Sequence, residues 1–311
     1  MGFAAGNQKE WRDGCYRLVV FLPARNEEDN VADVVAAVPR DMPGADVRVL
    51  VIDDGSTDAT VACALKAGAD RVVSLGRPCG LGAAVRAGMA EALRMGADVA
   101  VMIDADNEYP PARIPDLVRP IVRGEADYVV GSRFLGGKVR GMKWSRRVGN
   151  FAFTMLVRLL TGVPVTDGQS GMRAFSREVL ERADILHDYN YAQVLTMNIV
   201  GQGFRMAEVP IEYRPRTRGR SFIRYPAYLR AVLPAIWREW RRLRARRKAA
   251  AGATVKKTDR ATVKRTVSGA ETSDREATAG GAGLPDAVAG ADARRFGRTA
   301  GCVGHEPVSG R

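Results

Sequence analysis

Two short apolar runs in this chain, 47–52 and 99–103, each stop abruptly in carboxylates. The first ends in Asp53-Asp54-Gly55-Ser56-Thr57-Asp58 and the second in Asp104-Ala105-Asp106. Runs of this length, rich in valine and isoleucine and bounded by turn residues, read as strands. A strand that stops in Asp-Ala-Asp offers two hard oxygen ligands at its exposed end, where they suit a divalent cation held against a diphosphate. A lone Asp-x-Asp is more often a solvated turn. The second acidic strand end is what favours a site.

The rest of the first half alternates in the same way. Strands are expected at 17–22, breaking at Pro23, and at 47–52, 71–74, 99–103 and 128–131. Helical patterns fall between them at 27–38, with Val31, Val34, Val35 and Val38 on one face, and at 57–67, 82–95 and 114–123. Ser56 or Thr57 is the expected cap of the second helix. This alternation predicts an α/β fold, doubly wound around a mostly parallel, Rossmann-like sheet whose ligands bind beyond the carboxyl ends of the strands. After Gly131 the pattern loosens into a glycine- and arginine-rich loop, a helix at 148–160, the segment 167–175, a helix at 189–201 and a returning strand at 204–211 that carries Glu208.

With 311 residues, 46% of them hydrophobic, the chain can bury one substantial catalytic core and still carry a tail. The net charge of +13 points to an anionic partner: nucleic acid, anionic lipid or a phosphorylated substrate. The charge is concentrated at Arg238, Arg241, Arg242, Arg244, Arg246, Arg247 and Lys248. The same segment spaces Tyr225, Leu229, Val232, Leu233, Ile236, Trp240 and Leu243 as one apolar helical face. That describes either a membrane-surface helix or a helix packed on its own domain with a solvated arginine face. Beyond Ala249 the chain is rich in Ala, Gly, Thr and Arg without periodicity and reads as disordered. Cys15, Cys63, Cys79 and Cys302 have neither paired nor metal-like spacing. No apolar stretch of about 18 residues and no signal-peptide pattern occurs, so a cytoplasmic protein is expected.

Several motifs, in order, resemble those of inverting family 2 glycosyltransferases of the GT-A fold, over about 19–221. Pro23-Ala24-Arg25-Asn26-Glu27 is similar to that family's opening loop, Asp53 to Asp58 to its nucleotide-binding acidic loop, and Asp104-Ala105-Asp106 to its metal motif. Gly131-Ser132-Arg133, Asp167-Gly168-Gln169-Ser170-Gly171-Met172-Arg173 and Glu208-Val209-Pro210-Ile211 bring it nearest to the dolichyl- and polyprenyl-phosphate sugar synthases. The implied organisation is an arm at 1–16, a GT-A domain at 17–222, a basic amphipathic helix at 223–248 and a disordered tail at 249–311.

The resemblance implies a donor site made by Pro23, Arg25, Glu27, Asp53, Asp54, Gly82, Asp104, Arg216 and Ser221. Asp53 and Asp54 would accept hydrogen bonds from a base edge or from ribose, and Gly80-Leu81-Gly82 would let backbone approach a phosphate at a helix N-terminus. Mg2+ or Mn2+ is expected on Asp106 and Glu108, with Asp104 touching metal or ribose; the synthases commonly have glutamine where this chain has Glu108. Arg133, Arg146 and Arg147 are the candidates for an acceptor phosphate, and Arg173 for ordering the Asp167 loop. Where the family often carries Arg-x-x-Gly-x-Ser-Lys, this chain reads Arg216-Thr217-Arg218-Gly219-Arg220-Ser221-Phe222. A glutamate usual near Gln193 is also absent, so the acceptor side departs further from the family than the donor side.

The expected reaction is transfer of a hexose from a nucleotide diphosphate sugar, GDP-mannose or a UDP-sugar, with inversion. Asp106, Asp167 and Arg133 are the expected catalytic residues. A polyprenyl phosphate acceptor is already ionised and needs no base, and it would place the enzyme peripherally on the inner membrane face. A soluble hydroxyl acceptor, from cell-surface polysaccharide or secondary-metabolite synthesis, would need a base, and Asp167 is the candidate. A nucleotidyltransferase would share the acidic sheet but would want a glycine-rich, lysine-bearing opening loop. Nucleic acid is not an expected partner: no recognition helix, zinc spacing or stacking platform is present, and the acidic site repels phosphate backbones.

Overall fold

The computed structural model describes residues 15–136, 139, 141–185, 188, 191–216 and 232–246. In chain order the elements are β1 (Tyr16–Ala24), α1 (Val31–Ala37), β2 (Ala45–Asp53), α2 (Thr60–Lys66), β3 (Arg71–Ser74), α3 (Leu81–Arg94), β4 (Val99–Met102) and α4 (Ile114–Val122). These are followed by β5 (Tyr128–Ser132), α5 (Trp144–Thr161), β6 (Arg173–Ser176), α6 (Arg177–Arg182), α7 (Ala192–Gly201) and β7 (Met206–Pro210). A last helix, α8, covers 232–246.

The strands form one sheet in the order β3-β2-β1-β4-β6-β5-β7. The β3-β2-β1-β4 half is parallel, and β7 runs parallel to β5. β6 is antiparallel to both of its neighbours, β4 and β5. Alternation along each strand sends side chains to two different cores. On β1, Leu18, Val20 and Leu22 pack beneath α1 and α4, whereas Val19 and Phe21 pack beneath α3, α6 and α7. Both faces are covered, which is why the strands read as continuous apolar runs rather than alternating ones.

Four local expectations need correction. β1 does not break at Pro23 but runs on to Ala24. By Pro23 the strand pairs only with β2, because its pairing with β4 ends at Phe21, so the missing N–H leaves no central ladder incomplete. Helix α2 begins at Thr60, and neither Ser56 nor Thr57 caps it. The Asp58 carboxylate accepts the Thr60 N–H at 3.0 Å instead, while Ser56 accepts from Asn26 N–H. The segment 167–175, given no element from the sequence, ends in β6. Finally, Leu233, assigned to the apolar face of the basic helix, is exposed.

Helix α8 packs Val232, Ala235, Ile236 and Leu243 against Val157 of α5 and Val194 and Met197 of α7. The apolar face of the basic segment is thus spent on its own domain, while Leu233 and Trp237 face outward. Residues Tyr225 and Leu229 of that expected face, the tail from 249 and the arm before 15 lie outside the described residues. Among the described residues no helix is long and apolar enough to cross a membrane.

Candidate active site

The carboxyl ends of β1, β2, β4 and β5 bring the motifs to one edge of the sheet. Register pairs Ala24 at the end of β1 with Asp53 at the end of β2. The two loops that follow are zipped together. Asn26, with φ of 52°, donates its N–H to Ser56 Oγ and accepts from Thr57 N–H, both at 2.9 Å. Glu27 N–H donates to Thr60 Oγ1 and Glu28 accepts from Ala59 N–H. Arg25 lies half-buried in the same turn.

Asp53 and Asp54 are engaged within the protein. Asp53 accepts from Ser74 Oγ at 2.7 Å and Ser56 N–H at 3.0 Å. Burial would raise its pKa, and these hydrogen bonds outweigh that and hold it below the usual carboxylate range. Asp54 accepts the backbone N–H groups of Cys79 and Gly80 at 2.6 and 3.0 Å, so it shapes the turn into α3. Gly80 takes φ of 99°, and a Cβ there would sit 2.6 Å from the Asp188 carbonyl oxygen. The Gly82 N–H donates to that same oxygen at 2.6 Å. Gly82 therefore does not turn its amide toward a phosphate, and the expectation of a phosphate cradle at this position is corrected.

Beyond β4, Asp104, Asp106 and Glu108 crowd one another. Removal from water and the neighbouring carboxylates Asp106 and Glu108 push Asp104 well above its ordinary pKa. Burial and Glu108 raise Asp106 to about 6. Gly171 presses its backbone onto Asp104: a Cβ there would lie 1.9 Å from Asp104 Oδ2. Asp106 accepts the Glu108 N–H at 3.1 Å, and Arg216 Nη1 stands 3.8 Å from its other oxygen. Arg216 also donates to both oxygens of Glu27, at 2.6 and 2.7 Å, which ties the opening loop to the metal motif.

Glu108 is not free for a metal in this arrangement. Arg146 grips both of its oxygens, at 2.7 and 2.8 Å, and reaches Tyr213 Oη at 3.1 Å. Among the described residues, no group of three or more His, Cys, Asp or Glu side chains converges as a metal cage. The donor set nevertheless fits a hard cation. Half-buried Asp106, flanked by Asp104, provides oxygen ligands under mutual repulsion, the usual setting for Mg2+ or Mn2+ held by one or two carboxylates and completed by substrate phosphates.

On the acceptor side, Arg133 and Asp167 form a buried two-pronged pair. Arg133 Nε and Nη2 donate to Asp167 at 2.6 and 2.9 Å, and the Arg133 N–H adds a third bond. Burial would raise the Asp167 pKa, but Arg133 outweighs it and leaves the carboxyl below its ordinary range. Asp167 is wholly buried and both its oxygens are taken, so the role of base to an acceptor hydroxyl does not fit it. Arg133 is likewise committed to Asp167 rather than standing open to solvent. Arg146 is half-buried and Arg147 exposed on α5, and Ser221 lies outside the described residues.

Supporting contacts explain why the Asp167 loop is so well held. Arg173 donates to the carbonyls of Ser170 and Gly168, as expected from its place in the motif. Glu208 on β7 receives the N–H groups of Thr166 and Asp167 and the Thr166 hydroxyl. Sequence reasoning missed Tyr109 and Tyr213. Tyr109 Oη accepts the Gly171 N–H at 2.9 Å, and the Arg133 guanidinium lies over the Tyr109 and Tyr213 rings at 5.7 and 6.0 Å. Tyr109 stands one residue beyond Glu108, the only signal that could have flagged it.

The glycosyl transferase family 2 profile matches residues 19–183. The chain belongs to glycosyl transferase family 2. It is a glycosyltransferase, and its sheet has the GT-A form. Polyprenol monophosphomannose synthase of Mycolicibacterium smegmatis is 38% identical over 215 residues, which cover 66% of this chain and 80% of that protein. Undecaprenyl-phosphate mannosyltransferase of Micrococcus luteus is 31% identical over 214 residues, 66% of this chain and 86% of its own. Among solved structures, glucosyl-3-phosphoglycerate synthase of Mycobacterium tuberculosis, in complex with Mn2+, uridine diphosphate and glucosyl-3-phosphoglycerate, superposes with a TM-score of 0.59 at 28% identity. That match covers 72% of this chain and 80% of the synthase.

Proposed function

We propose that this glycosyltransferase moves a hexose, with inversion, from a nucleotide diphosphate sugar to the phosphate of a polyprenyl phosphate. The observation that carries the reading is the sealing of Asp167 beneath Arg133. A hydroxyl acceptor would need a base at that place, whereas a phosphate monoester is already an anion and attacks without one. The names of the mannosyl-transferring relatives support the same acceptor class and favour mannose as the hexose.

In this reading the zipped loops after β1 and β2 hold the nucleotide, with Asp53 and Glu27 facing base and ribose. Asp106, with Asp104 beside it, would hold Mg2+ or Mn2+, whose chemistry there would be to offset negative charge on the leaving diphosphate. Arg216 bridges Glu27 and Asp106 and so keeps the donor loop against the metal motif. Arg133, fixed in place by Asp167, contributes a steady positive field on the acceptor side, and Arg146 and Arg147 meet the incoming phosphate. An acceptor carried in lipid places the enzyme at the cytoplasmic membrane face.

A second reading is favoured by one observation: the solved relative that superposes on this chain holds a soluble phosphorylated product, glucosyl-3-phosphoglycerate. The test is a donor screen with GDP-mannose, UDP-glucose and UDP-N-acetylglucosamine, in Mn2+ or Mg2+, with and without polyprenyl phosphate. Nucleoside diphosphate released only with the lipid phosphate, and a lipid-linked sugar recovered, supports the proposal. Transfer to phosphoglycerate with none to lipid overturns it.

A further inference from the structure

Helix α5 carries apolar side chains on two sides: Phe153, Leu156, Val157 and Leu160 pack with α7 and α8, and a second set faces outward. Its buried positions are Asn150, Thr154, Val157 and Thr161, three of them polar. Its exposed positions include Trp144, Val148, Phe151, Met155 and Leu159, with Trp144 77% and Leu159 82% exposed. At 3.6 residues per turn these five fall within an arc of about 80°, and the stripe runs for about 22 Å. Isolated exposed apolar residues need no explanation, but a continuous apolar stripe along the outside of a helix whose other side is already packed does.

The charge around the stripe indicates what covers it. From Met142 to Thr161 the chain carries Lys143, Arg146, Arg147 and Arg158 and no carboxylate. Arg147 and Arg158 lie together along one flank of the stripe by helical spacing. A second copy of this chain packed on the stripe about a two-fold axis would bring these cations toward their own equivalents. An anionic lipid surface instead matches both the apolar arc and the basic flank. A pocket of about 230 Å3 opens beside the stripe and shares Phe151 and Met155 with it, with Arg147 at its rim. The apolar surface therefore continues from the outside of α5 toward the acceptor arginines.

We infer that the outer face of α5, rather than the basic helix α8, docks the enzyme on an anionic bilayer. The apolar face of α8 is already covered by α5 and α7, which leaves α5 as the longer exposed apolar surface. The inference does not depend on which acceptor is used, because docking is measured with no donor or acceptor present.

The full chain is floated with vesicles of phosphatidylcholine alone and of equimolar phosphatidylcholine and phosphatidylglycerol. Wild type is expected to float with the anionic vesicles and to be released by high salt. The double variant Trp144→Ser/Leu159→Ser should need at least about tenfold more lipid for half-binding, since two large apolar side chains no longer enter the interface. Both positions are solvent-exposed, so unfolding temperature should not change, and the milder Val148→Ser should shift binding in the same direction. Three results overturn the inference: unchanged flotation of the double variant, no flotation of wild type with either vesicle, or a wild-type dimer that the double variant converts to monomer. Loss of binding in Leu233→Ser/Trp237→Ser alone would return the role to α8.

Discussion

Arg146 holds Glu108 by both carboxylate oxygens, at 2.7 and 2.8 Å, so a residue expected to bind metal and a residue expected to bind acceptor phosphate are partners of each other. The pairing joins the two halves of the site across the β4 loop and α5. It also gives a reason for glutamate at a position where related synthases commonly carry glutamine: only a carboxylate gives the guanidinium a charged, two-pronged partner.

If Glu108 anchors Arg146 rather than the ion, Glu108→Gln should leave the Mn2+ concentration for half-activity within about threefold of wild type while raising the acceptor KM several-fold, the charge-assisted bond being roughly twice a neutral one. Asp106→Asn should abolish ion-dependent turnover. A large rise in the ion requirement of Glu108→Gln, with acceptor KM unchanged, would restore Glu108 to the metal. The stability effect should be small, about 1–2 kcal/mol for Arg146→Ala, because Arg146 keeps more than a third of its side chain in solvent.

The Arg133–Asp167 pair is a different case, since both side chains are buried. Asp167→Asn leaves the guanidinium buried against a neutral partner, and a loss of about 3–5 kcal/mol is expected on chemical denaturation. The folded pKa of Asp167 is depressed, so the stabilisation is fully present above the ordinary carboxylate pKa and is lost as pH falls through the lower folded value. A base role makes a separate prediction: removing Asp167 would flatten the acid limb of the kcat/KM profile. A profile whose shape survives in Asp167→Asn, with only its height reduced, supports positioning.

At the metal motif the sign is reversed. Asp106 is raised to about 6 and Asp104 well above its ordinary value, so the folded protein binds protons here more tightly than the unfolded chain. Repulsion among the carboxylates destabilises the ion-free fold above pH 6 and is relieved by protonation below it. A divalent cation with nucleoside diphosphate should therefore raise the unfolding temperature more at pH 7.5 than at pH 5.5, and chelation should reverse it. Asp106→Asn should unfold at a higher temperature than wild type without ion and gain little when it is added. Equal shifts at both pH values would contradict this assignment.

Much of this architecture was legible in the sequence because it rests on local patterns. Continuous apolar runs gave β1 to β5, and the carboxylates that follow β2 and β4 marked the binding edge, since strand, turn and helix signals all lie within a few residues of one another. β6 was not legible: Arg173 to Ser176 is only four residues long and follows a loop, and its strand character comes from being inserted between β4 and β5. Site residues were found by type but not by partner. Nothing in the spacing of Glu108 and Arg146, or of Glu27 and Arg216, says that they pair, because those contacts span 38 and 189 residues. The outward apolar stripe of α5 was hidden for the same reason: a helical pattern shows which residues share a face, and only the packing of α5 against its neighbours shows which of its two apolar faces is outside.

Gly171 offers the sharpest test of how the metal motif is set. Its backbone lies so close to Asp104 that an added Cβ would stand 1.9 Å from one carboxylate oxygen and 2.5 Å from the carboxyl carbon. The loop cannot retreat easily, because Tyr109 Oη takes the Gly171 N–H and Arg173 holds the Ser170 carbonyl. Asp104 must then rotate, and it is the less constrained partner. Gly171→Ala should lower the unfolding temperature by about 2–12 °C, a strain of about 1–3 kcal/mol, and lower kcat far more than donor KM. Gly171→Ala combined with Asp104→Gly, which vacates the space, should recover the stability but not the turnover. Full activity in Gly171→Ala would mean that Asp104 has no fixed position to keep.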